Sequence, residues 1–255
     1  MKFCTFASGS SGNCSYLTHG DTRILIDAGI SMTRIKKSLM ALGGIIEELD
    51  GIFITHDHWD HINAVKMLLK YYDVPIYATK DAALGIARQV PEAWGRLCYI
   101  TPGESVTFGD LDILPFSTPH DAPGSVGYRF DADGRSFGVL TDIGYVTKDI
   151  FDIMRGVDGI LLEANHNLDM LKNGPYPYYL RQRISSRKGH LSNEQCGVFA
   201  ADLEKSGTRL MILGHLSDKN NTCELAMSQV CGALHNPETT VDIAPRYDMG
   251  PVYII

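Results

Sequence analysis

The feature that most limits how this chain can fold is a dense polar turn placed directly after a short apolar run. Residues 51–55 predict a buried strand, and the next six positions hold three histidines, two aspartates and a tryptophan. Such a set of imidazoles and carboxylates suits divalent metal ions. His56 and His58 can bind one ion from a tight loop, while Asp60 and His61 can face a second. A polar loop that caps the following helix is the ordinary alternative.

Length and composition restrict the class of protein. The chain has 255 residues, 44% of them hydrophobic and 21% charged, which is enough for one large core. We therefore expect a single domain over residues 1–255. The formal net charge of −7 argues against a protein that coats nucleic acid non-specifically, although it leaves room for a local basic groove.

Cysteine usage and the absence of long apolar runs bear on the compartment. The six cysteines form no C-x-x-C pair, and they predict reduced, buried thiols of a cytoplasmic protein: Cys4, Cys14, Cys98, Cys196, Cys223 and Cys231. The first residues lack the apolar core of a secretory signal, and no run approaches 18 apolar residues. We expect a cytoplasmic protein that does not bind membranes, with homo-oligomer formation left open.

The order of predicted elements favours two β-rich halves, each followed by helices. The patterns predict strands at 3–7, 14–18, 22–27, 51–55, 75–78, 97–100, 105–108, 111–117, 126–131, 136–141, 158–163, 209–213 and 239–243. They predict helices at 31–42, 60–72, 80–89, 147–155, 192–205 and 222–235. A hairpin turn is expected at Asp133 and Gly134. This order suggests two sheets packed face to face with helices outside.

Three later strands end on the same kinds of residue as the opening turn. The run 111–118 leads to His120, the run 136–141 ends at Asp142, and the run 209–213 leads to His215. A single histidine or aspartate at a strand end is usually a cap or turn residue. Loops at strand ends can, however, converge at one edge of a sheet, so together these residues reinforce the metal-site interpretation.

The pattern His-x-His-x-Asp-His, followed by His, Asp and His, resembles the metallo-β-lactamase fold superfamily over nearly the whole chain. The resemblance implies an α+β fold, a four-layer αββα sandwich, with two divalent metal ions. By resemblance, one ion would be held by His56, His58 and His120. The other would be held by Asp60, His61 and His215, and Asp142 would bridge the two ions. Asp27 corresponds to an aspartate that orients the histidine loop.

Two shorter motifs narrow the resemblance. Residues 8–14 and 189–193 look like the corresponding segments of the YycJ/WalJ group of proteins. These proteins belong to bacteria that have the WalK/WalR two-component system, and they are associated with DNA exonuclease activity. Many zinc β-lactamases carry a cysteine where this chain has Asp142. The segment from Asp142 to His215 is also too short for the long insertion of the mRNA-end-processing nucleases.

The metal set indicates a reaction class. Two ions about 3.5–4 Å apart lower the pKa of a bridging water towards 7, which yields a hydroxide nucleophile. The ligands suit zinc, manganese or iron. We therefore expect a two-metal phosphodiesterase that acts on nucleic acid, namely a 5′-to-3′ DNA exonuclease. The alternative is hydrolysis of a small cyclic phosphodiester, thioester or lactone. A non-catalytic metal-dependent regulatory module is disfavoured, because a structural site needs no open two-metal centre.

Besides Asp60, the candidate catalytic residue is His190. In related phosphodiesterases a histidine shortly before the last metal ligand contacts the scissile phosphate or protonates the leaving oxygen, and His190 precedes His215 in that way. An imidazole can do either near neutral pH. His190 can instead be a neighbour of the helix cap at Ser192. Glu163, Asn165 and His166 end another strand and can line the same edge, and His166 is a candidate for supporting a ligand.

Two segments are candidates for substrate binding. Residues 173–190 contain three tyrosines and four cations, among them Arg181, Arg183 and Arg187, which can bind phosphates while tyrosines stack on bases. The alternative is a solvated amphipathic helix whose tyrosines pack on the body of the protein. The Gly/Ser turn at 8–13 can present Ser10, Asn13 and backbone N–H groups to a phosphate, or can be a plain hairpin turn.

Overall fold

The computed structural model describes all 255 residues. Its strands are β1 (Lys2–Ala7), β2 (Cys14–His19), β3 (Thr22–Ile26), β4 (Gly51–Phe53), β5 (Ile76–Thr79), β6 (Cys98–Ile100), β7 (Val106–Phe108), β8 (Leu111–Ser117), β9 (Val126–Ala132), β10 (Arg135–Leu140), β11 (Gly159–Glu163), β12 (Leu210–Gly214), β13 (Thr240–Ile243) and β14 (Tyr253–Ile254). Its helices are α1 (Met32–Ala41), α2 (Trp59–Ile62), α3 (Val65–Tyr71), α4 (Lys80–Gln89), α5 (Lys148–Met154), α6 (Leu168–Asn173), α7 (Tyr178–Ile184), α8 (Asn193–Ser206) and α9 (Cys223–Ala233).

The chain divides into two compact units. Unit 1 comprises Met1–Ser117, Ala122–Val126 and Pro245–Ile255, and unit 2 comprises Thr118–Asp121 and Gly127–Ala244. Every predicted strand is present, with ends that differ by no more than two residues. The helix α6 and the short strand β14 were not predicted, because these segments lack a clear apolar period. The helix α7 lies in the segment for which an amphipathic helix was the alternative. The single domain over 1–255 stays a prediction.

Unit 1 contains a seven-stranded sheet, in the strand order β14-β1-β2-β3-β4-β5-β6, and the antiparallel pair of β7 and β8. The strands from β3 to β6 run parallel, so their carboxyl ends lie at one edge. The sheet buries Leu25 and Ile52 in a core that also takes Ile35 and Leu39 from α1. The spacing of these two α1 residues is the helical period that predicted this helix, and Ser31 caps it by accepting from the backbone of Arg34.

The prediction of one continuous helix over 60–72 was wrong. The segment forms α2 and α3, separated at Asn63 and Ala64. Neighbouring loops take the carbonyl groups that a continuous helix would use. The Asp60 carbonyl accepts from the N–H of Asn13 at 2.7 Å, and the His61 carbonyl accepts from the N–H of Ala28 at 2.9 Å. The break therefore fixes the polar turn to the loops that follow β1 and β3.

Unit 2 contains five strands in the order β13-β12-β11-β10-β9. The strands β10 to β13 are parallel, and β9 pairs with β10 in antiparallel fashion. The predicted hairpin turn between β9 and β10 is confirmed, since Asp133 and Gly134 have φ of 49° and 72°. All five residues of β11 are buried, as is typical of a central parallel strand. A capping box between Ser192 and Gln195 begins α8.

The cysteine prediction was right for three residues and wrong for three. Cys4, Cys14 and Cys196 are buried, and burial raises the pKa of each thiol. Three others are exposed, because they lie on β6, at the first position of α9 and on the outer side of α9: Cys98, Cys223 and Cys231. No helix combines the length and apolar character that crossing a bilayer requires.

Candidate functional site

Four candidate ligands lie on the turn that joins β4 to α2, and we call His56, His58, Asp60 and His61 the unit 1 cluster. The ring centroid of His56 lies 4.6 Å from that of His58 and 4.1 Å from that of His61. His56 and His61 are fully buried, whereas His58 and Asp60 are partly exposed. Imidazoles this close together, at the exposed end of a buried strand, are arranged as ligands of a small ion would be.

Asp27 orients this cluster from the end of β3. Its Oδ2 lies 2.7 Å from Nδ1 of His61, and its Oδ1 accepts from the backbone N–H of Thr55 at 2.8 Å. The Thr55 hydroxyl contacts Asp27 and lies 3.0 Å from Nδ1 of His56. A carboxylate that accepts a hydrogen bond from the Nδ1–H group leaves the lone pair of His61 on Nε2, the atom that binds metal in such arrangements. The structure thus places Asp27 where the resemblance implied.

Asn13 contacts the cluster directly. Its Nδ2 lies 3.3 Å from Oδ2 of Asp60 and 3.0 Å from Nε2 of His61, and its Oδ1 accepts from the N–H of Gly9 at 2.9 Å. Much of the Gly/Ser turn is therefore engaged within unit 1, while Ser10 is exposed at its tip. Gly29 packs against the polar turn that carries the cluster, and a Cβ at this position would meet the carbonyl oxygen of Asp60 at 1.6 Å.

Unit 2 gathers four further candidates from distant parts of the chain, and we call His120, Asp142, His190 and His215 the unit 2 cluster. Oδ1 of Asp142 lies 3.5 Å from Nε2 of His215, 3.6 Å from Nδ1 of His190 and 3.9 Å from Nε2 of His120. His120 follows β8, Asp142 follows β10, His215 follows β12, and His190 precedes α8. The strand-end logic of the sequence therefore brings these residues together within unit 2.

Glu163 was expected from the sequence only to line the same edge as the ligands, and its role was not predicted. It ends β11 and is fully buried, and its Oε1 lies 2.8 Å from Nδ1 of His190 and 2.9 Å from Nδ1 of His215. Its Oε2 accepts from the backbone N–H groups of Ile143 and Leu191. Burial alone would raise the pKa of Glu163, but the two imidazoles outweigh burial and hold that pKa below its ordinary value. A glutamate that ends an otherwise apolar strand was the available signal.

Backbone strain is concentrated at the site. Only four residues other than glycine have positive φ, and three of them are site candidates: Asp27 at 61°, Asp142 at 55° and His215 at 54°. Asp27 and His215 directly follow the last residue of a strand, and one residue separates Asp142 from the end of β10. A left-handed conformation costs a residue with a side chain about 1–2 kcal/mol, so the surrounding hydrogen bonds must enforce it. These turns aim the side chains away from the strand axes.

His120 is held in the same manner as His215, but by a backbone group. Its Nδ1 lies 3.2 Å from the carbonyl oxygen of Gly189, which leaves Nε2 as the ligand atom. Burial lowers the pKa of His120, although Asp142 acts in the opposite direction. Gly189 is required at that position, because a Cβ there would meet the Ile184 carbonyl oxygen at 2.1 Å.

His166 lies in unit 2 close to these groups. It is 1% exposed, its Nδ1 makes no hydrogen bond, and burial lowers its pKa to about 4. The neighbouring Asn165 contacts His215 instead, donating from Nδ2 to the backbone oxygen at 2.9 Å. The supporting role suggested for His166 stays a prediction, while Asn165 and Glu163 make the observed contacts to His215.

The basic, tyrosine-rich segment forms the short helix α7, in which no residue is fully buried. Tyr178 and Tyr179 are 70% and 74% exposed, so they do not pack on the body of the protein. The three arginines have separate partners: the Lys172 carbonyl for Arg181, the Asp121 carboxylate for Arg183 and the Tyr145 ring for Arg187.

The donor atoms of both clusters fit a divalent metal. The candidates are imidazole nitrogens and carboxylate oxygens, and Nδ1 of three imidazoles contacts an acceptor, which directs the Nε2 lone pair outward: His61, His120 and His215. One compact group of ligand atoms lies entirely within unit 2, namely Asp142, Glu163, His190 and His215. Divalent metal binding is therefore the chemistry that these residues support.

Comparison with known proteins agrees with this geometry. The family model described as "Beta-lactamase superfamily domain" matches residues 22–216. Exodeoxyribonuclease WalJ of Streptococcus pneumoniae is 38% identical over 98% of this chain and 95% of WalJ. Exodeoxyribonuclease YycJ of Bacillus anthracis is 33% identical over 92% of this chain and 89% of YycJ. The chain belongs to the beta-lactamase superfamily and, within it, to the group of hydrolases that resemble WalJ and YycJ.

Solved structures agree on the fold. The metallo-β-lactamase fold protein YhfI of Bacillus subtilis aligns with 99% of this chain and 98% of its own, with a TM-score of 0.75 at 18% identity. That level of identity speaks for the fold alone. The predicted α+β metallo-β-lactamase fold is confirmed. Membership of the superfamily and the exodeoxyribonuclease relatives show that the chain is a metal-dependent hydrolase.

Proposed function

We propose that this chain is a metal-dependent phosphodiesterase that degrades DNA from an end, with 5′-to-3′ polarity. The observation that carries the proposal is that the Glu163 carboxylate contacts two imidazoles. One belongs to the candidate ligand His215, and the other to the candidate proton donor His190. Support for DNA as the substrate comes from the activity named for WalJ and YycJ. The small-molecule alternative has no comparable support.

We further propose that the metal ligands are the seven residues that the resemblance points to. The unit 1 cluster supplies all four of its members, and unit 2 supplies His120, Asp142 and His215. Two ions of zinc, manganese or iron fit this donor set. When bound, the ions would activate water and neutralise charge on the reacting phosphate.

His190 is the proposed general acid. Its Nδ1 is held by Glu163, so a proton for the leaving oxygen would be carried on Nε2 and the imidazolium would be stabilised by the carboxylate. Leu191 strengthens this arrangement, because its backbone N–H donates to the other oxygen of Glu163 at 3.0 Å. The ring of His190 is therefore fixed in direction, and its outer nitrogen is the one that would face the substrate.

The segment around α7 is the proposed DNA-binding surface. Tyr178 and Tyr179 offer exposed ring faces for bases, and Arg181, Arg183 and Arg187 offer cations for phosphates. Ser10 is a further candidate at the exposed tip of the Gly/Ser turn. Asn13 contacts Asp60 and His61, so its proposed contact with substrate is secondary to holding these side chains.

The test is hydrolysis of bis-p-nitrophenyl phosphate and of single-stranded DNA by the metal-loaded protein. His58→Ala and Asp142→Ala should each abolish both activities, whereas His19→Ala, in β2 and outside both clusters, should retain them. Circular dichroism would check that the variants fold. Hydrolysis of neither substrate by the wild-type protein, or full activity of Asp142→Ala, would refute the proposal.

A further inference from the structure

Trp59 is the most exposed residue of the polar turn that carries the unit 1 cluster. It is 55% exposed, although tryptophan is on average highly buried in folded proteins. The hydrophobic core of unit 1 takes Ile62 and Val65 from the same region of the chain, but it does not include Trp59. Packing of the core therefore gives no reason for a tryptophan at this position.

The indole lies on the side of the turn from which solvent reaches the cluster. His56 and His61 are fully buried, whereas His58 and Asp60, the two neighbours of Trp59, are partly exposed. Trp59, Asp60 and His61 are consecutive residues of α2, so their side chains point in directions about 100° apart. Trp59 therefore faces solvent on the same helical turn whose inner side holds His61. A substrate that approaches His58 or Asp60 from solvent meets the indole.

The backbone on both sides of Trp59 is held by hydrogen bonds from other parts of unit 1. Two residues before it, the carbonyl oxygen of Asp57 accepts from Nε2 of Gln89 in α4 at 2.6 Å. One residue after it, the carbonyl oxygen of Asp60 accepts from the N–H of Asn13 at 2.7 Å. The turn therefore presents the indole from a fixed backbone, so little backbone order has to be created when a ligand stacks on it.

We propose that Trp59 stacks on a nucleobase of the DNA strand whose phosphate the unit 1 cluster faces. Stacking on an aromatic side chain accepts every base, because each base has a π face. An enzyme that removes nucleotides one after another must accept each base in turn, and hydrogen bonds to a base edge would select among them. The inference rests on the proposed function, since it names the part of the nucleotide that unit 1 would hold.

The experiment compares thymidine 5′-monophosphate with 2-deoxyribose 5-phosphate, which has the same sugar and phosphate but no base. Equilibrium binding of each ligand to the full-length, metal-loaded protein gives the ratio of the two affinities. We expect the nucleotide to bind the wild-type protein about tenfold or more tightly than the sugar phosphate. The ratio is the informative quantity, because a loss of metal would weaken the binding of both ligands. Neither ligand contains a phosphodiester bond, so the measurement does not depend on nuclease activity.

Two variants and a matched control assign the ratio to the indole. Trp59→Ala should lower the ratio to about one, whereas Trp59→Phe should keep most of it, since a phenyl ring also stacks on a base. The control is Trp94→Ala, which should keep the wild-type ratio. Trp94 is the other tryptophan of the chain and is 71% exposed in unit 1, but it lies in the segment that joins α4 to β6.

Tryptophan fluorescence reports the contact directly. In a Trp94→Phe protein, Trp59 is the one remaining tryptophan, and its emission should be quenched by the nucleotide but not by the sugar phosphate. Three results would each overturn the inference: equal affinity of the wild-type protein for both ligands, a ratio that survives Trp59→Ala, or emission that the nucleotide leaves unchanged. A protein that binds the base through Trp59 but cuts no DNA would instead refute the proposed function alone.

Discussion

The two clusters hold their imidazoles in different ways. In unit 1, the candidate ligands come from six consecutive residues, and Asp27 supports them through His61 and Thr55. In unit 2, the candidates come from four separate segments, and one oxygen of Glu163 lies within hydrogen-bond distance of Nδ1 of both His190 and His215. A local turn needs only one support to fix its orientation, whereas residues distant in the chain need a shared buried anchor. Unit 2 should therefore be the more sensitive of the two to loss of its carboxylate.

Among the residues that support the proposed ligands, Glu163→Gln is expected to have the largest effect. The amide would still accept a hydrogen bond, but it could not compensate a charge on His190 or His215. We expect the rate of DNA cleavage to fall by about 10²–10³-fold, because both a proposed ligand and a proposed proton donor lose their support. The measurement is the pH–rate profile together with metal affinity, since a role confined to packing would leave both unchanged in a folded variant.

A smaller effect is expected from Asp27→Asn. Here one imidazole loses its carboxylate, while His56 and His58 keep their positions on the turn. Metal affinity should fall by about 10–100-fold, as measured by competition with a chelator of known affinity. The comparison between the units is wrong if this variant loses more activity than Glu163→Gln while remaining folded.

Unit 2 also contains a buried imidazole whose protonation should affect stability. The pKa of His166 falls from 6.5 to about 4 on folding, so between these values the unfolded chain binds a proton that the folded chain does not. Stability contributed by the neutral ring is therefore present above pH 6.5 and is lost as the pH falls towards 4. The expected loss is about 2 kcal/mol between pH 7 and pH 5.

Urea unfolding of the wild-type protein and of His166→Gln at both pH values checks this prediction. The informative quantity is the difference between the two pH dependences, because the substitution can also change stability at pH 7. The variant should lose about 2 kcal/mol less than the wild type on acidification. Parallel losses in the two proteins would show that His166 does not titrate in this range.

The smallest effect per residue concerns the cations around α7. Joint replacement of Arg181, Arg183 and Arg187 by glutamine should weaken DNA binding and lower the salt dependence of the binding constant by about one unit of slope per lost phosphate contact. The matched control replaces three exposed lysines of unit 1 by glutamine: Lys36, Lys37 and Lys66. An equal loss in the control would mean that net charge, rather than this surface, governs binding.

The same contrast explains what the sequence could and could not reveal. The unit 1 cluster was readable because its ligands are adjacent in the chain and follow an apolar run. His120, Asp142 and His215 each lie after a strand, where a single histidine or aspartate is usually a cap or turn residue. Only the three together predicted a metal site. The place of Glu163 at the end of a strand was predictable, but its role was not, since nothing local distinguishes a carboxylate that anchors two distant imidazoles. The break between α2 and α3 was missed for a related reason, because the carbonyl acceptors of Asp60 and His61 serve loops far away in sequence.

The left-handed residues show the same limit. The turn at Asp133 was predictable, because an Asp-Gly pair between two strands has a known conformation. The positive φ of His215 was not, since such a φ is uncommon for any residue other than glycine and the surrounding contacts of unit 2 enforce it here. Local chemistry therefore accounts for the elements and their ends, and tertiary contacts account for how the site side chains are aimed.

The most direct test of the account uses DNA labelled at its 5′ end or its 3′ end, incubated with the wild-type protein before and after removal of metal by a chelator. The account predicts that the metal-loaded protein releases the 5′ label at once as a mononucleotide and progressively shortens the 3′-labelled strand. It predicts that the chelated protein leaves both substrates intact until metal is restored. Cleavage that persists without metal, or DNA left uncut by the metal-loaded protein, would contradict it.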